Sequence, residues 1–137
     1  MLIETDVLLA HVKEEDWLKP YAENILKRVE SGELKLYVSR EVLHELYYIV
    51  TRLGMDLDKA LAKIVALTSI KGLTWLPTTL EIDLLAYTLI VEYGLTSIFD
   101  AYYAASTLLM DPDKTIISTD HTYDKIPGLR RVDPREL

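Results

Sequence analysis

The feature that most constrains the fold is an alternation of short apolar runs with longer helical patterns along all 137 residues. The run Leu34 to Val38, for example, precedes a segment from Arg40 to Leu53 in which apolar residues recur every three or four positions. Strands that alternate with helices are typical of an open, mostly parallel sheet with helices on both faces. We therefore predict a three-layer α/β/α fold in a single domain, residues 1–137.

The strands and helix starts can be placed from local signals. Serine, threonine and aspartate are predicted to cap the later helices, because their side-chain oxygens accept hydrogen bonds from free backbone N–H groups. These caps are Ser39, Asp56, Thr78 (with Glu81 in a capping-box pattern) and Ser97. The predicted strands are Met1 to Glu4, Leu34 to Val38, Leu73 to Leu76, Lys114 to Ser118 and Arg131 to Asp133. The first predicted helix begins near Val7. Five further helices are predicted at Trp17 to Glu30, Arg40 to Leu53, Asp56 to Ile70, Thr78 to Tyr93 and Ile98 to Met110.

Composition excludes several kinds of site. The chain has no cysteine, so it has neither disulfides nor thiolate zinc ligands, and its 3 histidines lack ligand spacing. Its 5 glycines form no phosphate-binding loop, and no serine–histidine–acid arrangement is evident. No apolar run has the length of a membrane span, and no signal peptide is evident, so we expect a cytoplasmic protein. The net charge of −7 argues against a basic nucleic-acid coat, although a cation-binding site would itself contribute negative charge.

Five acidic residues stand where carboxylates are costly to bury. Glu4 and Asp6 follow the first predicted strand, and Asp120 follows the fourth. Parallel sheets place functional groups beyond the carboxyl ends of their strands, so we expect these three to lie at one edge. Glu45 lies beside the apolar face of its helix, and Asp100 opens a helix whose same face is otherwise apolar. A divalent cation is the usual means of offsetting the repulsion among such groups.

Four of these five acids also have an ordinary structural interpretation. Asp6 can cap the helix that follows it, and Glu45 can extend to water from the margin of the apolar face. Asp100 stabilises a helix start through the helix dipole, and Asp120 is a common turn residue. Ser118 and Thr119 are suited to bond a carboxylate, a water or a phosphate.

Four segments, taken in order, resemble a known family. They are an acid-Thr-acid-Val-Leu-Leu segment at Glu4 to Leu9, Ser39 to Leu46, Asp100 to Ala105, and Ser118 to Asp124. Together they look like the PIN domain of VapC-type toxins. The resemblance implies a five-stranded parallel sheet, an acidic pocket that binds Mg²⁺ or Mn²⁺, and hydrolysis of RNA. The residues that match the family's acidic positions, and that we expect to be catalytic and metal-binding, are Glu4, Asp6, Glu45, Asp100 and Asp120.

The first segment departs from the family pattern, which usually has Asp, a small residue, then Asn or Ser. Glu4 stands at the Asp position and Asp6 at the Asn or Ser position. Either of them is therefore a candidate for the first metal ligand.

The resemblance further implies an RNA substrate, an antitoxin that covers the acidic pocket, and a homodimer. The departure also leaves an alternative, a catalytically degenerate PIN-like module that binds protein or RNA without cutting. A hydrolase that uses paired carboxylates on sugars or small phosphates is a further alternative.

Overall fold

The structure, a computed structural model, describes residues 1–137. It contains one five-stranded sheet in the order β3-β2-β1-β4-β5, and every pair of neighbouring strands is parallel. The strands are β1 (Leu2–Ile3), β2 (Leu36–Ser39), β3 (Leu73–Leu76), β4 (Thr115–Ile117) and β5 (Arg130–Val132). The helices are α1 (Thr5–Val12), α2 (Lys19–Glu30), α3 (Glu41–Arg52), α4 (Leu57–Leu67), α5 (Leu80–Tyr93) and α6 (Ile98–Met110). Short 3₁₀ segments span His121–Lys125 and Pro134–Glu136.

The centre of the sheet is apolar and fully enclosed by the protein. Leu2, Ile3, Ile116 and Ile117, from the adjacent strands β1 and β4, are completely buried. Continuous apolar runs of this kind are expected where helices cover both faces of a parallel sheet. The predicted parallel α/β/α fold is therefore confirmed. No single helix is long and apolar enough to span a membrane; only α5 and α6 taken together pass that test, and their axes bend by 114°.

The order of the strands creates a switch point in the middle of the sheet. The chain runs from β1 outward to β2 and β3, and then returns to place β4 on the other side of β1. At such a point the connections beyond the two central strands leave in opposite directions and open a crevice. Glu4 directly follows β1, and Ser118 directly follows β4. Glu4 and Ser118 thus lie at the edge where a parallel sheet forms its crevice.

Two predicted helix starts were placed one or two residues early. The N-cap of α5 is Thr79, whose hydroxyl accepts from the Ile82 N–H, whereas Thr78 donates to Glu41 at 2.7 Å. Because the Thr78 hydroxyl is engaged with α3, the second threonine takes the capping position. α3 begins at Glu41, and the Ser39 hydroxyl still accepts from its N–H at 3.2 Å.

Other predicted ends differ by a few residues. Three of the five strands, β1, β2 and β4, are shorter than predicted, because only residues that pair with a neighbouring strand are counted. β5 has the predicted length but begins one residue earlier, at Arg130. α2 begins after Trp17, whose side chain is exposed, and α4 ends at Leu67 before the turn that leads into β3. Asp56, Ser97 and the strand Leu73–Leu76 are as predicted.

Candidate active site

The ends of β1 and β4 are joined by side-chain hydrogen bonds. The Ser118 hydroxyl lies 3.0 Å from Glu4 Oε2 and accepts from the Asp120 N–H at 2.9 Å. Asp6 Oδ2 accepts from both the backbone N–H and the hydroxyl of Thr119, each at 2.7 Å. The structure therefore brings Glu4, Asp6 and the backbone of Asp120 together, and Ser118 and Thr119 bond carboxylates.

Glu4 is the most deeply placed of the five acids. Its side chain is buried, and it occupies the N-cap position of α1. Burial raises the pKa of Glu4 well above its usual value, and the neighbouring charge of Asp6 raises it further. Asp6 lies in the first turn of α1 and is not the N-cap; its Oδ1 accepts from the next N–H, that of Val7, at 2.7 Å.

Glu45 reaches the same region from α3. It is half-buried beside the buried residues Val42 and Leu46, as its position in the sequence predicts. The Tyr103 hydroxyl donates to Glu45 Oε2 at 2.7 Å and accepts from the Thr5 hydroxyl at 2.7 Å. Thr5 stands between Glu4 and Asp6, so this chain of hydrogen bonds connects α3, α6 and α1.

Asp100 stands in the first turn of α6, and its N–H donates to the capping hydroxyl of Ser97. Its pKa is raised to about 6, first by burial and then by the charges of Asp120, Glu45 and Asp6. The raised pKa indicates that carboxylates distant in the sequence act on one another electrostatically. Burial, and then the charges of Glu4 and Asp100, raise the pKa of Tyr123, whose buried hydroxyl has no hydrogen-bond partner.

Asp120 has a structural contact in addition to this electrostatic one. Its side chain is exposed, and Oδ1 accepts from the Thr122 N–H at 2.7 Å at the start of a 3₁₀ segment. The turn interpretation and the acidic-site interpretation therefore hold together for this residue.

The donor set suits a hard divalent cation. None of the five acids forms an ion pair with a lysine, an arginine or a histidine. Carboxylate, hydroxyl and carbonyl oxygens are the ligands that Mg²⁺ and Mn²⁺ prefer. No three of the acids stand in ligating geometry. The residues fit the ion by their chemistry and by their unneutralised charge.

The sequence reasoning missed two residues of this cluster, Tyr103 and Thr5. The available signal for Tyr103 was its position three residues after Asp100, which places it on the next turn of the same helix. His121, by contrast, is exposed and contacts Asp124, which also pairs with Arg131 at 2.9 Å. His121, Asp124 and Arg131 form a group at the surface, in which the carboxylate of Asp124 is paired with Arg131.

The comparison with family profiles decides the family, since the PIN domain profile matches residues 1–129. The chain belongs to the PIN domain family. PIN domain proteins are nucleases that generally use divalent metal ions. The search of curated proteins found no significant match.

Three solved structures with a similar fold are of VapBC2, a toxin–antitoxin complex and a toxin. The chain is similar to a structure of VapBC2 from Rickettsia felis bound to a DNA fragment from their promoter, with TM-score 0.73, 16% identity and 96% of each chain covered. It is similar to a toxin–antitoxin complex from Klebsiella pneumoniae, with TM-score 0.67, 18% identity, and 97% of this chain and 96% of that chain covered. It is also similar to Mycobacterium tuberculosis VapC20, a sarcin-ricin loop cleaving toxin, with TM-score 0.64, 18% identity, and 77% and 79% covered. At these identities the similarity establishes the fold.

Proposed function

We propose that this PIN domain protein is a metal-dependent ribonuclease that hydrolyses RNA phosphodiester bonds with Mg²⁺ or Mn²⁺. One observation supports the proposal: acids from four separate segments of the chain act on one another electrostatically beside the switch point of the sheet, and no lysine, arginine or histidine pairs with them. Asp100 gives additional support, because burial and then the charges of three of the other four acids raise its pKa. Clustered acids of this kind are a frequent property of catalytic sites.

The side chains divide into ligands and supports. Glu45, Asp100, Asp120 and either Glu4 or Asp6 would hold the ion. When bound, the ion supplies Lewis-acid chemistry for the attack of water on the phosphate. Ser118 and Thr119 fix the orientation of Glu4 and Asp6 through the hydrogen bonds described above. No protein nucleophile is needed, which agrees with the lack of a serine–histidine–acid group.

The test is cleavage of end-labelled RNA in EDTA, Mg²⁺ and Mn²⁺. Wild type is expected to cut only with metal, and an Asp100→Asn, Asp120→Asn double variant is expected to be inactive. Asp58→Asn is the matched control, because Asp58 is an exposed acid in the first turn of α4. Equal cleavage by wild type and the double variant would assign the activity to a contaminant and refute the proposal.

The same assay separates the alternatives. RNA that binds with metal but is never cut would favour the degenerate binding module, for which the Glu4 departure is the argument. Hydrolysis of small phosphates or sugars without added metal would favour the other hydrolase. Both outcomes contradict the ribonuclease proposal.

We further propose that the protein is the toxin of a cytoplasmic toxin–antitoxin pair. The support is the similarity in fold to the VapBC2 and Klebsiella pneumoniae complexes. An antitoxin that covers the acidic site would complement its negative charge with a cationic side chain such as arginine. Such a partner is expected to suppress the RNA cleavage described above.

A homodimer is the assembly that we propose, and α5 is the surface that supports it. Leu80, Leu84, Tyr87 and Val91 are each more than half exposed and recur at helical spacing, which makes one apolar stripe on α5. Stripes of this kind are typical of protein–protein interfaces. A second copy presents the same stripe, so a two-fold axis would cover both at once.

Replacing Leu84 by glutamate is expected to convert the dimer to monomer at micromolar concentrations. The substitution would bury two uncompensated charges near the two-fold axis, at a cost of several kcal/mol. Sedimentation velocity or light scattering measures the change in mass. Val65→Glu is the control, because Val65 is a similarly exposed apolar residue on α4. A wild-type monomer, or an unchanged mass in Leu84→Glu, would contradict the α5 interface.

A further inference from the structure

The Glu45 carboxylate is held by a buried relay of hydroxyl groups. Thr5 Oγ1 lies 2.7 Å from Tyr103 Oη, which lies 2.7 Å from Glu45 Oε2. Tyr103 is completely buried and Thr5 is almost completely buried. The relay therefore begins in the packed interior and ends at the acidic site.

The direction of the relay follows from the chemistry of its members. An ionised carboxylate only accepts hydrogen bonds, so the single proton of the Tyr103 hydroxyl goes to Glu45. The Thr5 hydroxyl must then donate to Tyr103, whose remaining lone pairs accept. Each hydroxyl proton of the relay is used once, and the hydroxyls of Thr5 and Tyr103 both have a partner.

The relay compensates for the flexibility of Glu45. A glutamate has three side-chain torsions, and fixing them costs conformational entropy. Glu45 forms no ion pair, and its only side-chain hydrogen bond is the one from Tyr103. The contact occupies Oε2 and leaves Oε1 without a protein donor. The ring of Tyr103 is completely buried and therefore fixed, so its hydroxyl holds the Glu45 carboxylate in one orientation.

We propose that Tyr103 is a positioning residue that orients Glu45 for cation binding, with Thr5 as its anchor. The proposal rests on the metal-dependent site described under the proposed function and adds a residue to it that is not an acid. Groups that orient metal ligands typically change metal affinity by about 10–100-fold when removed. If the hydroxyl of Tyr103 served only the packing of the core, its removal would change the stability of the fold and leave the metal affinity unaltered.

The test is the affinity for Mn²⁺, measured from the electron paramagnetic resonance signal of the free ion. Tyr103→Phe is expected to weaken binding by about 10-fold, since the ring is kept and only the orienting hydroxyl is lost. Tyr102→Phe is the matched control, because its hydroxyl lies beside Asp83 of α5 instead. An unchanged affinity in Tyr103→Phe would overturn the proposal.

A double-mutant cycle distinguishes positioning from a general effect on the fold. In a Glu45→Ala background, Tyr103→Phe is expected to cause no further loss of Mn²⁺ affinity, because the carboxylate that it orients has been removed. An equal loss in both backgrounds would show that Tyr103 acts through the fold and would overturn the proposal. Thr5→Val provides a second variant if Tyr103→Phe folds poorly, and its loss must likewise vanish with Glu45→Ala.

The measurement separates this proposal from the ribonuclease proposal because it requires no cleavage. A wild type that binds Mn²⁺ with the expected coupling but cuts no RNA would remove the nuclease function and leave the positioning role. If the wild type cuts RNA but Tyr103→Phe binds Mn²⁺ normally, the positioning role is removed and the nuclease function remains. A wild type that binds no Mn²⁺ at millimolar concentration would overturn the positioning role.

Discussion

An Asp100→Asn variant is expected to lose metal-dependent RNA cleavage by at least about 100-fold, while its metal-free fold becomes more stable than that of wild type. The loss follows from removal of a ligand, since even groups behind the ligands typically contribute 10–100-fold. The gain follows because Asp100 has a pKa of about 6 and is charged at pH 7.5 against Asp120 and Glu45. Asparagine keeps the shape and removes that repulsion. In EDTA, calorimetry should therefore show a Tm a few degrees higher for the variant.

The sign of the pH dependence provides the control. The folded pKa of Asp100, about 6, is above its unfolded value, so the folded state holds the proton more tightly. The free energy of unfolding of wild type should therefore fall as pH rises from about 4 through about 6. The advantage of Asp100→Asn should be full at pH 7.5, smaller at pH 5 and absent near pH 4. An advantage that persists at pH 4 would contradict the electrostatic explanation.

Metal should act on the two proteins differently. A cation that binds only the folded state raises Tm by mass action. Millimolar Mn²⁺ should therefore raise the Tm of wild type at pH 7.5 and leave that of Asp100→Asn nearly unchanged. Asp58→Asn is again the control and should behave as wild type. Wild-type melting that is indifferent to Mn²⁺ would count against a metal site at these acids.

The sheet could be predicted from the sequence because its signals are local. Apolar runs such as Leu73–Leu76 and capping residues such as Ser97 act within a few positions, and both were placed correctly. The order of the strands is a tertiary property and was not predicted, since the family resemblance implied only that there are five parallel strands. The start of α5 was misplaced for the same reason. Choosing between Thr78 and Thr79 requires knowing that Glu41, 37 residues away from Thr78, accepts one hydroxyl.

The candidate site was predictable where its residues carry charge or, like Ser118 and Thr119, directly follow a strand. Acids at strand ends and beside an apolar face are conspicuous because burial makes them costly, and Glu4 and Glu45 were found in this way. Tyr103 and Thr5 escaped notice because an apolar helix face and a helix start accept tyrosine and threonine without penalty. Their role depends on a contact across 98 residues of sequence, which no spacing rule encodes.

Gly72→Ala is expected to be the most destabilising small substitution outside the acidic site. Gly72 has φ +94°, and a Cβ there would lie 2.8 Å from the Val29 carbonyl oxygen and 2.9 Å from Val29 Cγ1. Val29 is buried at the end of α2, so it cannot withdraw. The Gly72 carbonyl also accepts from the Leu36 N–H, where the β2–β3 ladder begins. Strain and overpacking together should cost about 2–5 kcal/mol.

Gly54→Ala is the matched control for this prediction. Gly54 also has a positive φ, +64°, but a Cβ there would meet no atom within 4 Å. Its replacement should therefore cost only the backbone strain, about 1–2 kcal/mol. Urea unfolding of the two variants isolates the steric contribution at Gly72 as the difference in their free energies of unfolding. Equal free energies would mean that the segment before β3 moves away from Val29 at no cost, and that this close packing does not fix the edge of the sheet.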